Sequence, residues 1–132
     1  MNIETILKSQ GKSVTKERIE VYNGIQSLHL FQASDLVDLF PHIGRASIFR
    51  ILTLFVDIGV LRKLNLENRG DFYELESQSH HEHFECNSCH SVLHFDAGFI
   101  CKTLDYLAKK QGFLLRNHQI LLSGLCPNCN QQ

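Results

Sequence analysis

Two C-x-x-C pairs, Cys86–Cys89 and Cys126–Cys129, constrain this chain more than any other feature. Each pair can present two thiolates from one tight knuckle, and four thiolates make the tetrahedral shell of a structural zinc ion. The 36 residues between Cys89 and Cys126 exceed ordinary zinc-ribbon spacing, yet they accommodate a helix and two strands. Pro127, inside the second pair, is common in such knuckles. A thioredoxin-like redox site needs one such pair at a strand-to-helix junction, whereas here two pairs flank a subdomain. Buried packing cysteines are the plainer alternative. Zinc is the better expectation, ahead of iron, because four thiols complete its shell and nothing suggests a cluster.

The chain has 132 residues, 43% of them hydrophobic, enough for one compact domain or two small ones. Charged residues make up 20% and the formal net charge is -1. That is neither the basic excess that announces nucleic-acid binding nor the balance of a disordered chain. The N-terminus, MNIETILKSQ, lacks a basic region followed by an apolar core. No apolar run approaches the ~18–20 residues of a membrane span. The expectation is a cytoplasmic protein with no membrane partner. In that reducing compartment disulfides are rare, and paired cysteines point to metal or redox chemistry.

Hydrophobic periodicity predicts an α+β protein in two halves. NIETILKSQG reads as a short amphipathic helix ended by Gly11. Thr15 is placed to cap KERIEVYNGIQSL, QASDLVDLF reads as a third helix closed by Pro41, and RASIFRILTLFVDIG as a fourth ended by Gly59. VLRKLNLENRGDFYELE then alternates, with a turn at ENRG, and predicts a β-hairpin. Helices followed at once by a hairpin suggest a winged helix-turn-helix. The second half predicts strands at SVLHF and NHQILLSG around a helix, AGFICKTLDYLAKKQG, carrying Phe99, Leu104 and Leu107. Such a small core needs a metal staple, a partner subunit, or both.

The segment SHHEHFECNSCH, Ser79 to His90, gathers ligand-type side chains. In an extended segment side chains alternate, so His81 and His83 share one face while His80 and Glu82 share the other. The run therefore suits two sites. His94, His118, Cys101 and the upstream Glu74 are candidates to complete them. A solvated histidine-rich hinge is the plainer alternative, and His29, His42 and His90 read as surface or packing residues.

On the fourth helix, Ile48, Ile51, Leu52, Phe55 and Ile58 form an apolar stripe. Arg50 points nearly opposite, with Ala46 and Thr53 beside it and Ser47 and Phe49 at the edges. An arginine can read guanine in a major groove, and Ala or a Thr methyl can pack on a thymine methyl. Arg45 joins these as a candidate DNA-facing residue. Arg18, Arg62 and Lys63 are candidate phosphate contacts. Residues 1–74 carry nine Lys/Arg and nine Asp/Glu, so a basic surface must come from arrangement. Taken alone, this face reads as an ordinary solvated one.

These pieces in this order resemble the ferric uptake regulator superfamily of bacterial metal-dependent repressors. The matching residues are VTKER (Val14–Arg18), IGRASIFRIL (Ile43–Leu52), YEL (Tyr73–Leu75), HHEHFECNSC (His80–Cys89), NHQILLSGLC (Asn117–Cys126) and the final C-x-x-C. They span nearly the whole chain. The resemblance implies a winged helix-turn-helix DNA-binding domain over 1–76, a hinge and metal-ligand segment over 77–83, and a small α/β dimerisation domain over 84–132 with the four-cysteine zinc. It implies a sensing site of Glu74, His81 and His83, with His94 where an acid is usual. It also implies a second site of His80, Glu82 and His118, with Cys101 where many members have Glu. The family often adds a histidine from the DNA-binding half. Leu30 stands there, so either His29 reaches in or Glu74 alone makes that link. Phe49 replaces the usual recognition-helix tyrosine.

The expected function is a homodimeric transcriptional repressor that binds a double-stranded DNA operator when zinc or iron(II) occupies the hinge. Nitrogen and sulfur at His94 and Cys101 shift preference toward zinc. A peroxide-sensing repressor of the same fold is an alternative that His94 counts against. A metal-dependent enzyme is a third reading. It lacks support because no HExxH is present.

Overall fold

The computed structural model describes residues 2–66, 69–76, 81–115 and 118–131. It divides into two compact units, Met1–Gln78 and Ser79–Gln132. The expected hinge at 77–83 lies outside the described residues over 77–80, while Glu82 and His83 belong to a strand.

The first unit opens with α1 (Ile3–Ser9), whose free N–H groups are met by Asn2, which accepts from the Thr5 amide at 2.9 Å. In α2 (Lys16–Ile25) the Thr15 hydroxyl accepts from the Arg18 amide at 3.2 Å. In α3 (Ala33–Leu39) the Asp35 carboxylate reaches back to the Gln32 amide at 2.8 Å. α4 (Arg45–Asp57) follows Gly44, and the chain turns out of it at Gly59 with φ +81°, where glycine avoids the Cβ clash. The wing is an antiparallel hairpin of β1 (Leu61–Leu66) and β2 (Gly70–Leu75), in which Arg62 pairs with Glu74 and Lys63 with Tyr73.

Phe31, just ahead of α3, exchanges two backbone hydrogen bonds with Tyr73, which ties the helices to the wing. Ile48, Ile51, Leu52 and Phe55 of α4 bury themselves against Leu7, Val21, Ile25, Phe31 and Leu36. Burying each such side chain stabilises the unit by ~1.5–3 kcal/mol. Ile58, the last residue of the expected stripe, is half-buried.

The second unit is a three-stranded sheet in the order β4-β3-β5 with one helix. Its central strand is β3 (Glu82–Cys86), antiparallel to β4 (Val92–Phe95) and parallel to β5 (Leu121–Gly124). A parallel pairing requires a crossover, and α5 (Gly98–Lys110) lies in it. Among the described residues, the buried apolar set of this unit is Cys86, Ala97, Cys101, Ala108 and Cys126. None is a large aliphatic or aromatic side chain. Phe99 and Leu107, expected to give α5 its apolar character, are exposed, Phe99 at 84%.

Candidate metal centres and nucleic-acid interface

The two knuckles are built alike. Cys86 ends β3 and Cys89 follows in the turn, whose last residue, His90, takes φ +64° and returns its N–H to the Cys86 carbonyl at 3.0 Å. At the C-terminus the Asn130 N–H does the same to the Cys126 carbonyl at 2.9 Å. Cys89 Sγ and Cys126 Sγ lie 3.7 Å apart. Four thiolates at ~2.3 Å from a tetrahedral zinc are separated by ~3.8 Å. The Cys126 and Cys89 amides donate to Cys86 Sγ at 3.4 and 3.5 Å, and these bonds bring the Cys86 thiol down to about 6. The neighbouring Cys126 sulfur instead pushes Cys129 up to about 11. The donor set fits zinc, which these four residues would hold.

A second group lies on one face of the sheet. His83 and His94 are directly paired across β3 and β4, so their rings share a face, and His81 is two residues before His83 on the same side. The three ring centroids are 4.5–5.0 Å apart. His83 is fully buried and His94 exposed. Three imidazoles so arranged can hold zinc or iron through nitrogen.

Glu82 points to the opposite face. Its Oε2 accepts from the Ile120 amide at 2.9 Å. Its Oε1 lies 3.3 Å from His118 Nε2 and 3.6 Å from Cys101 Sγ, and the latter two atoms are 3.0 Å apart. These three side chains make another cluster of metal-ligand type. His80, expected beside them, lies outside the described residues.

Glu74 belongs to the first unit. It is buried in β2, and its Oε1 lies 3.7 Å from the Arg62 guanidinium. Arg62 is itself largely buried, so it turns inward to this carboxylate and away from the phosphate role expected of it. Sequence reasoning missed this pairing because it depends on cross-strand register. His29 is exposed, and His42 is exposed and paired with Glu20.

On α4, Arg45, Ala46, Phe49, Arg50 and Thr53 are exposed and Ser47 is half-buried. Arg50 donates to the Ser47 hydroxyl at 3.0 Å. Arg18, at the start of α2, donates to the Ser13 carbonyl at 2.6 Å and borders the groove that Ser47 and Arg50 line. Lys63, on the wing, pairs with Asp71 at 3.3 Å and stays half exposed. Asn65 is the main cause, ahead of Lys63, of the Asp71 carboxyl lying below its ordinary value.

The chain thus combines a helical bundle with a wing and a small sheet unit carrying clustered thiols and imidazoles of metal-ligand type. The sequence model of the Ferric uptake regulator family matches residues 9–123, and the chain belongs to that family. It is 33% identical over 133 residues to the ferric uptake regulation protein of Yersinia pestis, covering 95% of this chain and 90% of that one. The Vibrio cholerae ferric uptake regulator matches in structure with a TM-score of 0.72 at 29% identity, over 92% of this chain and 98% of that one. A zinc uptake regulator complexed with zinc and DNA matches with a TM-score of 0.63 at 28% identity, over 96% and 89%. Members of this family are regulators, not enzymes, bind DNA and act as dimers. Among the described residues no helix is long and apolar enough to cross a membrane.

Proposed function

We propose that this chain is a homodimeric repressor whose DNA-binding form is set by zinc or iron(II) at His81, His83 and His94, with Glu74 as the ligand supplied from the wing. The three converging imidazoles at the start of the second unit carry this reading. Glu74 is the next-to-last residue of the hairpin and lies seven positions before His81 in sequence, so one ion bound by both would tie the DNA-binding half to the rest of the chain. The sulfur cluster acts separately, as a permanent staple holding residues 86–89 to 126–129.

Such a metal favours the form in which two winged helices match the half-site spacing of a palindromic operator. A coupling of ~1–3 kcal/mol would change DNA affinity by ~5–150-fold. Arg45, Ala46, Ser47, Phe49, Arg50 and Thr53 would face the groove, with Arg18 and Lys63 on phosphates. Exposed apolar side chains in the second unit, among them Phe99, Tyr106, Phe113 and Leu114, suit a dimer interface. As a reader of chromosomal DNA the protein works in the cytoplasm. Operator binding titrated with zinc, iron(II) and manganese(II), against protein holding only its four-cysteine zinc, tests the reading. Equal affinity in all four states would sink it.

A further inference from the structure

We propose that Arg62 is a counter-ion of Glu74 in the metal-free protein and a competitor of the dication for its carboxylate, so that this one wing residue sets the metal concentration at which the sensing site fills. The inference rests on the reading of Glu74 as a ligand supplied from the wing. Arg62 and Glu74 are direct cross-strand partners of β1 and β2, so their side chains share one face of the hairpin. The Glu74 side chain is 1% exposed and that of Arg62 14%. A carboxylate buried so deeply needs a compensating charge, and removing its cation leaves an unpaired buried anion. Arg62 Nη1 meets Glu74 Oε1 at 3.7 Å, which is ion-pair range. It is longer than the ~2.7–2.9 Å of a charge-assisted hydrogen bond. The contact between these two atoms is therefore Coulombic, and a bond from the carboxylate to a metal can replace it.

Once Glu74 holds a dication, two cations face one carboxylate. Their repulsion is stronger in a buried setting than in water, because less solvent screens it. Arg62 thus stabilises the metal-free wing and opposes the metal-bound one. Lys63, the next cation along β1, points to the other face and pairs with Asp71 at 3.3 Å, so it does not stand in for Arg62. The site then stays empty at trace metal and fills only when the free ion is abundant enough to displace the guanidinium.

The test uses full-length protein that retains its four-cysteine zinc, in a Cys101→Ser background so that the Glu82 cluster does not compete. Zinc(II) affinity is read against a chelating indicator, and the denaturation midpoint is measured with and without added zinc. Arg62→Gln should bind zinc about tenfold more tightly than its parent, and Arg62→Lys within about threefold of it. Arg62→Gln should also lower the midpoint of the form without added zinc, and added zinc should restore it, because the dication then supplies the missing charge. A merely structural role would lower both midpoints alike and leave zinc affinity unchanged. Unchanged or weaker zinc binding in Arg62→Gln overturns the proposal, as does a variant that stays unfolded at saturating zinc. Glu74→Gln separates this role from the reading beneath it: it should weaken zinc binding, and unchanged binding there would sink both. Weaker binding in Glu74→Gln beside unchanged binding in Arg62→Gln would sink the role of Arg62 alone.

Discussion

Cys126 is buried with its sulfur 3.7 Å from that of Cys89, so replacing it by serine opens one corner of the thiolate shell. Cys126→Ser should lose about one equivalent of zinc per chain and most of the second unit's circular dichroism, because metal binding and folding are one free energy in such small units. Metal analysis and far-ultraviolet spectra check it, and a folded zinc-free variant would refute it. His83 is the fully buried member of the imidazole group. On the proposed mechanism His83→Ala should bring the ratio of operator affinities with and without regulatory metal to nearly one, leaving the four-cysteine zinc in place. The cysteine pairs were legible because their spacing alone carries their chemistry. The pairing of His83 with His94 was not, since it follows from strand register. Nor was the inward turn of Arg62 onto Glu74, which two cross-strand positions create together.

The helices of the first unit were readable as elements because caps and apolar period agreed along each one. Thr15 caps α2 through the Arg18 amide, so Thr15→Ala should destabilise this unit by about 1 kcal/mol. Chemical denaturation followed by circular dichroism would report it, and an unchanged midpoint would mean that another group satisfies the amide. On the exposed face of α4, Arg50→Ala should weaken binding to a cognate operator by ~1–3 kcal/mol and relax base preference at one position. Equal losses on all sequences would reassign Arg50 to phosphate contact. β3 was the least legible element. A central strand normally shows as an apolar run, but Glu82–Cys86 reads EHFEC, with ligands toward both faces. For α5 the sequence suggested packing by Phe99 and Leu107, yet Cys101 and Ala108 turn inward.

At the level of the whole chain, the first unit encloses a true apolar core, whereas the buried apolar residues of the second, among those described, are two alanines and three cysteines beside the buried Glu82, His83 and Glu85. A core that small calls for the metal and the partner surface of the proposed function. Phe99→Glu combined with Leu114→Glu should convert the dimer to monomer by sedimentation, without loss of zinc. A dimer of unchanged affinity would place the interface elsewhere. Local chemistry was already written along the chain: four thiols in two knuckles, an apolar stripe on α4, and the alternation that sends His81 and His83 one way and Glu82 the other. These follow from neighbours in sequence, where backbone geometry sets which side chains share a face. The members of each cluster were named from the sequence and the resemblance, but what brings them together is contact between distant residues. His94 joins through the β3–β4 register, Cys101 through the placement of α5, and His118 through the parallel return to β5. No local period encodes those approaches, because packing and strand pairing select them only when the chain has folded.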